Sequence, residues 1–329
     1  MTTGDLRYHN LVVSPAPHIH SGASYSKAIR AIIIALVPAM VYAIVLYGMH
    51  AARVMALAAS TAMATEALVR AFFRQPATLH DGSALLTGLL LALLLPPGVP
   101  WWLVVTGSFL AILVGREIFG GRGGNPFNPV LVGWAALRIS WGDYLNLNFA
   151  MVNYPLGFSF EYPLGVLKKA GAAGTEVFPY LDLLLGRQAG GMGAAAVGLI
   201  LAGGLFLIIR GVISWRIPVA FLAGVAGTAA LFRFVGGGAF AAPMFHILAG
   251  NVMIGAFFLA TDYSSSPVNR TARVIYGFGC GFLTVLFRAW SIYPDGVVFA
   301  ILIMNIVNPL LDRIKPAVRG KRAGKGGTS

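Results

Sequence analysis

One cysteine, Cys280, stands in 329 residues. That excludes an internal disulfide and a self-contained iron–sulfur cluster, which needs several thiolates. Lying inside an apolar run, Cys280 reads as a small core residue. Charge is scarce, 11% of residues against about 25% in soluble domains. Acidic side chains are scarcest, with 11 Asp and Glu against 24 Lys and Arg. The six histidines are His9, His18, His20, His50, His80 and His246. None sits in the middle of an apolar run, so no pair of axial ligands faces across a bundle and no haem is predicted. Pro17-His18-Ile19-His20 lacks a third ligand and predicts no metal site. There is no zinc spacing, no phosphate loop and no nucleophile–base pair. The glycine-rich run Gly120–Gly124 lacks the preceding strand that gives a nucleotide cradle its meaning. No cleavable signal is evident in the polar residues 1–27.

What is present is apolar. Mean hydropathy is +0.78 and 57% of residues are hydrophobic, which predicts an all-α integral membrane protein. Apolar runs fall near 28–48, 51–73, 82–97, 101–119, 126–141, 191–210, 217–235, 244–260, 274–292 and 296–312. At about 20 residues per crossing these predict roughly ten transmembrane helices. The net charge of +13 does not point to nucleic acid, because no polar domain interleaves aromatic and basic residues. The cations sit instead at the ends of apolar runs. Seventeen of the 24 fall on the N-terminal side; Arg53, Arg138, Lys168, Lys169, Arg187, Arg233 and Arg288 fall on the other. The positive-inside rule then makes both termini cytoplasmic in a multi-pass protein of the cytoplasmic (inner) membrane.

Residues 142–190 form the longest loop, external and rich in aromatics and prolines. They divide a first half, 28–141, from a second, 191–313, between a cytoplasmic N-terminal segment, 1–27, and a basic cytoplasmic tail, 314–329. Two halves of five crossings must be inverted relative to each other, an arrangement that often carries a central site. The third run of each half supports this: Asp81 to Pro96 and Phe245 to Asp262 are both short, with an early glycine and a breaker or polar residue at the end. A second echo, Asn125–Pro129 against Asn305–Pro309, lies at different depths and is consistent with coincidence.

Intramembrane ionisable residues are functional candidates by default. Glu66 and Arg70 read as an i,i+4 ion pair. Asp81 reads as a helix N-cap. Asp262 ends the eighth run, and Asp295, in Tyr293-Pro294-Asp295-Gly296, reads as a turn and cap. The most telling stretch is Gly115–Pro129, a polar turn between apolar runs. Lipid cannot satisfy its amides, so it must meet protein, a cavity or water. Arg122 and the amides around it suit an anionic group.

Phe119–Pro129 with Val132-Gly133 resembles the D-type membrane subunit of Rnf ion-translocating electron-transport complexes and its B-type relative in the sodium-pumping NADH–quinone reductase. So do Ser14–His18, Ile213–Pro218, Phe245–Asp262 and Tyr293–Ala300. The resemblance runs from about 14 to 315. It implies a ten-helix protein with two inverted halves, similar to urea channels. It further implies a complex that couples electron flow to movement of sodium ions or protons, with membrane and peripheral partner subunits. The family carries FMN covalently on a threonine of the external loop and a further, non-covalent flavin (riboflavin or FMN). Here Ser159–Leu164 occupies the matching place, and Tyr162 stands where the threonine should be, so no covalent FMN is expected. Thr175 is nearby but lacks the flanking motif. The site is expected at the margins of the two short runs: Asn125, Asn128, Asp262 and Asp295, for a non-covalent flavin or the ion path. The alternative is a solute channel or transporter on the same two-halved fold, or a scaffold subunit without redox chemistry; the missing threonine is what those readings predict.

Overall fold

The computed structural model describes residues 24–75, 79–145, 162–236 and 240–314. Among them the chain is helical and contains no strand. The N-terminal segment up to residue 23, Ser159–Glu161 and the basic tail from 315 lie outside the described residues.

Five helices are long and apolar enough to cross a membrane. They are α1 (Tyr25–Tyr47), α2 (Met49–Phe72), α4 (Trp101–Leu113, extended by a 3₁₀ turn to Phe119), α9 (Arg216–Val235) and α12 (Arg270–Trp290). Four apolar helices are shorter: α3 (Ser83–Leu94), α5 (Pro129–Ser140), α8 (Val197–Ile209) and α13 (Val297–Leu311). Two helices, α6 (Pro163–Ala170) and α7 (Tyr180–Leu185), form within the stretch read as a loop.

Among the short helices α3 is the inner one. At 1.5 Å per residue, α3 spans about 18 Å, well short of a hydrocarbon core of about 30 Å. It is apolar all round and every residue except Leu85 is buried, as expected of a helix surrounded by protein. The long helices instead bury one face. In α12 the buried positions Ala272, Tyr276, Gly277, Cys280, Gly281, Thr284, Val285 and Arg288 recur at helical spacing. That face meets α9 along small residues: a Cβ on Gly281 would lie 2.2 Å from the Phe221 carbonyl oxygen. Such close approach raises van der Waals contact where no hydrophobic force joins helices.

Packing partners recur along the chain. α2 packs on α3 and α4, and α9 on α10 (Pro243–Leu248) and α12. α4 packs on α5 and α12 on α13, while α1 meets α8 and α5 meets α13.

The run 244–260 is not one helix. It comprises α10, a break at Ala249–Asn251, α11 (Val252–Ile254) and a π-helical turn, Gly255–Leu259. Gly250 makes the break with φ +71°, and a Cβ there would come within 2.7 Å of Leu164 Cδ1 and 2.8 Å of Asp295 Oδ2. Only glycine fits both the left-handed backbone and the space.

Candidate functional site: two opposed cavities

The glycine-rich turn is shaped by left-handed backbone at Gly120, Gly121 and Gly123. It carries Arg116 and Arg122 back onto the helices. Arg116 Nη2 donates to Glu66 Oε1 at 2.7 Å, while Arg70 Nε lies 3.3 Å from the same oxygen. Glu117 Oε1 lies 3.3 Å from Arg116 Nε and 3.7 Å from Arg70 Nη2. The i,i+4 pair read from the sequence is therefore half of a buried, formally neutral group of four. Arg122 pairs with Asp81, whose other oxygen accepts from the Ser83 amide and hydroxyl, both at 2.9 Å. Asp81 thus caps the start of α3 and holds the turn at once.

Beneath the Arg122–Asp81 pair lies an inner cavity of about 60 Å³, lined among others by Thr87, Arg116, Asn125, Asn128 and Asp262. Asn128 caps α5, its Oδ1 accepting from the Val130 amide at 2.9 Å. Its Nδ2 donates to the Leu259 carbonyl at 2.9 Å, at the end of the π turn. Asn125 Nδ2 donates to the Phe127 carbonyl at 2.8 Å. Asp262 accepts from the Ser265 hydroxyl at 3.0 Å and its amide at 3.3 Å. Burial pushes the Asp262 carboxyl above the usual range, and these hydrogen bonds only partly offset it.

The two asparagine echoes meet here. The Asn305 amide lies 2.7 Å from the Tyr276 hydroxyl. In the orientation that satisfies both its ends, it accepts from the Asn128 amide at 3.1 Å and donates to the Ser265 carbonyl at 3.2 Å. Asn308 Nδ2 donates to that carbonyl as well, at 3.0 Å. Asn128, Asn305 and Asn308 thus share one hydrogen-bonded network around the Ser265 carbonyl.

Asp295 is elsewhere. It borders an outer cavity of about 230 Å³ with Trp134, Arg138, Tyr162, Lys168 and Asn251. The expectation of one site holding all four residues is corrected: Asn125, Asn128 and Asp262 line the inner cavity and Asp295 the outer one. Nor does Asp295 cap its own helix. Its Oδ2 accepts from the Asn251 amide at 2.8 Å and its Oδ1 from Arg288 Nη2 at 3.2 Å. Arg288 also donates to the His246 carbonyl at 2.6 Å and the Ala249 carbonyl at 2.8 Å. The pair clamps both sides of the break, and Arg288, counted in sequence among the external loop cations, has a fully buried side chain. The signal was there: an arginine inside an apolar run.

The two cavities face each other across a thin partition. Along α3 the inner cavity reaches Leu90 and the outer one Leu94; along α5 the limits are Val130 and Trp134. One helical turn, about 6 Å, separates each pair. In the broken run, Asn251 lines the outer cavity and Phe257 the inner. The direction is reversed there, as an antiparallel segment requires.

A family model described as "NQR2, RnfD, RnfE family" matches residues 12–320. The chain belongs to this family. A similar relative is the D-type subunit of the Na(+)-translocating ferredoxin:NAD(+) oxidoreductase complex of Acetobacterium woodii, 39% identical over 306 residues, 92% of this chain and 93% of that one. The D-type subunit of the proton-translocating ferredoxin:NAD(+) oxidoreductase complex of Clostridium ljungdahlii is 35% identical over 333 residues, 97% and 98%. The D-type subunit of the ion-translocating oxidoreductase complex of Stutzerimonas stutzeri is 34% identical over 331, 92% and 94%.

The flavins that membership implies fit these residues poorly. A single benzene ring takes a cavity of about 150 Å³, so the inner cavity of about 60 Å³ admits no three-ring system while Arg122 holds Asp81. In the outer cavity Arg138 and Lys168 suit a phosphate, and Tyr162 lines it where the resemblance leads one to expect a threonine. Burial first and Asp295 second raise the pKa of the Tyr162 hydroxyl. Thr175 is buried and donates to the Ala172 carbonyl at 2.6 Å. Among the described residues, no three His, Cys, Asp or Glu cluster as metal ligands do.

Proposed function

We propose that this chain is the D-type membrane subunit of an ion-translocating ferredoxin:NAD⁺ oxidoreductase complex, and that the two cavities are the ends of its ion path. It sits in the cytoplasmic membrane with both termini cytoplasmic and crosses ten times. α1–α5 form one half, and α8 to α13, with the broken run counted once, form the inverted other. Support for the halves comes from the recurring packing partners and from the opposite sense of α3 and the broken run. The observation that carries the ion path is the partition of one helical turn between opposed cavities. Leu91, Leu93, Leu131 and Ile254 bury themselves around it and exclude a hydrated ion in this conformation. Passage therefore needs a second conformation, and electron transfer in the complex supplies the bias by changing charge nearby.

The inner cavity offers the ion Ser83, Thr87, Asn128 and Asp262 oxygens. Its size suits an ion with a few waters, each needing about 10–15 Å³ of such a cavity. The test is Asp262→Asn in the intact complex, with ferredoxin-dependent ion uptake measured in inverted vesicles. Uptake per NAD⁺ reduced should fall at least tenfold; unchanged uptake would remove Asp262 from the path.

The replacement of the flavin threonine by Tyr162 favours a second reading, a solute channel or scaffold without redox chemistry. The purified chain moving a small neutral solute by itself in liposomes is the outcome that reading requires.

A further inference from the structure

A third cavity, of about 160 Å³, lies between α6, α9, α10 and α12 and shares only Lys168 with the lining of the outer cavity. Its walls are apolar: Ala229 and Phe232 of α9, Phe240, and Val285 and Ala289 of α12. Three polar side chains also border it: Lys168, and the buried His246 and Arg288, 4% and 2% exposed. The terminal nitrogens of Arg288 are committed to His246, Ala249 and Asp295. Its Nε has no partner among the described residues, and neither has His246 Nδ1. Buried donors and acceptors are nearly always satisfied, and an exception calls for an unseen partner.

The size and chemistry of that partner follow from the walls. An apolar cavity of about 150 Å³ takes one benzene ring and otherwise stays dry. A lone water could serve the polar atoms but would leave the apolar remainder empty. A ring bearing one hydroxyl meets both demands. Its oxygen accepts from Arg288 Nε–H and either donates to or accepts from His246 Nδ1, whichever tautomer is present. A carbonyl can only accept and is the poorer match.

We propose that this cavity binds a single-ring phenolic compound, with the ring against Phe232 and Val285 and the hydroxyl at His246 and Arg288. The access side is marked by Lys168 and Gly171 of α6. Because Arg288 also holds the His246 and Ala249 carbonyls, the occupant touches the clamp on the broken run.

The test uses the purified complex in lipid nanodiscs and fluorine NMR of 4-fluorophenol, with fluorobenzene as the ring without a hydroxyl and empty nanodiscs as background. Saturable broadening by 4-fluorophenol is expected, at least tenfold tighter than by fluorobenzene. Ala289→Phe fills the cavity and should abolish both signals. His246→Leu should weaken 4-fluorophenol about tenfold and leave fluorobenzene unchanged. No saturable binding to the unmodified complex, which is the result for water alone, overturns the proposal. So does equal affinity for the two rings, a comparison that needs no variant, or binding that survives Ala289→Phe.

Discussion

Removing the carboxylate of Asp295 should cost about 3–5 kcal/mol, the usual penalty for stripping one partner from a buried ion pair. The bonds lost account for that range. Asp295→Ala deletes the acceptor for the Asn251 amide at 2.8 Å and the counter-charge for Arg288 at 3.2 Å. Hydrogen bonds to charged groups contribute about 1.5–3 kcal/mol each. Asp295→Asn keeps an acceptor but loses the charge, and should fall between wild type and Asp295→Ala. Arg288→Leu is costlier, because the His246 and Ala249 carbonyls and the carboxylate lose their donor together. The informative variant combines Arg288→Leu with Asp295→Leu, leaving no uncompensated charge. It should be at least about 2 kcal/mol less destabilised than the sum of the single changes. Equilibrium unfolding in mixed micelles reads all four. Additive effects, or an Asp295→Ala protein within about 1 kcal/mol of wild type, would show that the pair does not act as one clamp.

Further outcomes follow from the same geometry. The raised pKa of Asp262 means the folded protein favours the protonated acid. Stability should therefore increase as pH falls through the raised value toward the ordinary 3.8, and Asp262→Asn should lose that slope when unfolding is followed against pH. Glu66→Gln leaves two buried guanidinium groups sharing one carboxylate and should cost about 3–5 kcal/mol, read by loss of folded protein on heating. Gly281→Leu must part α9 from α12 and should cost about 3 kcal/mol or more, beyond the usual range for overpacking, in the same assay. A denaturing gel of the purified complex under ultraviolet light should show no fluorescent band at the mass of this chain, since Tyr162 stands at the position expected to bear the flavin and the nearby Thr175 is buried; a band there refutes the reasoning about Tyr162. A cysteine replacing Arg122 should react with impermeant maleimide in inverted vesicles and not in intact cells.

Much of this was legible from residues alone. The apolar runs lie within a few residues of the helices, because burial in lipid or protein needs an apolar side chain at nearly every position. The short third and eighth runs marked the core, since an element too short to cross must be surrounded by protein. Gly120–Gly124 announced a backbone that no other residue adopts cheaply. Other features were hidden because they depend on distance in space. Arg288 looked like a loop cation, and nothing local shows that it reaches carbonyls 42 and 39 residues away. The break at Gly250 was masked by an apolar composition that suits a continuous helix. Asn125, Asn128, Asp262 and Asp295 formed one set in sequence because all lie at run margins, but margins face two sides of a membrane.

Sequence by itself determined the helical class, the family and the polar turn, because hydropathy, motif order and glycine act locally. Tertiary structure alone decided that the candidates divide between two cavities, that an arginine and an aspartate clamp a broken helix, and that one turn of buried side chains parts the two cavities. Each of those is a relation between segments far apart in the chain, fixed only when their packing brings the polar groups within reach of one another.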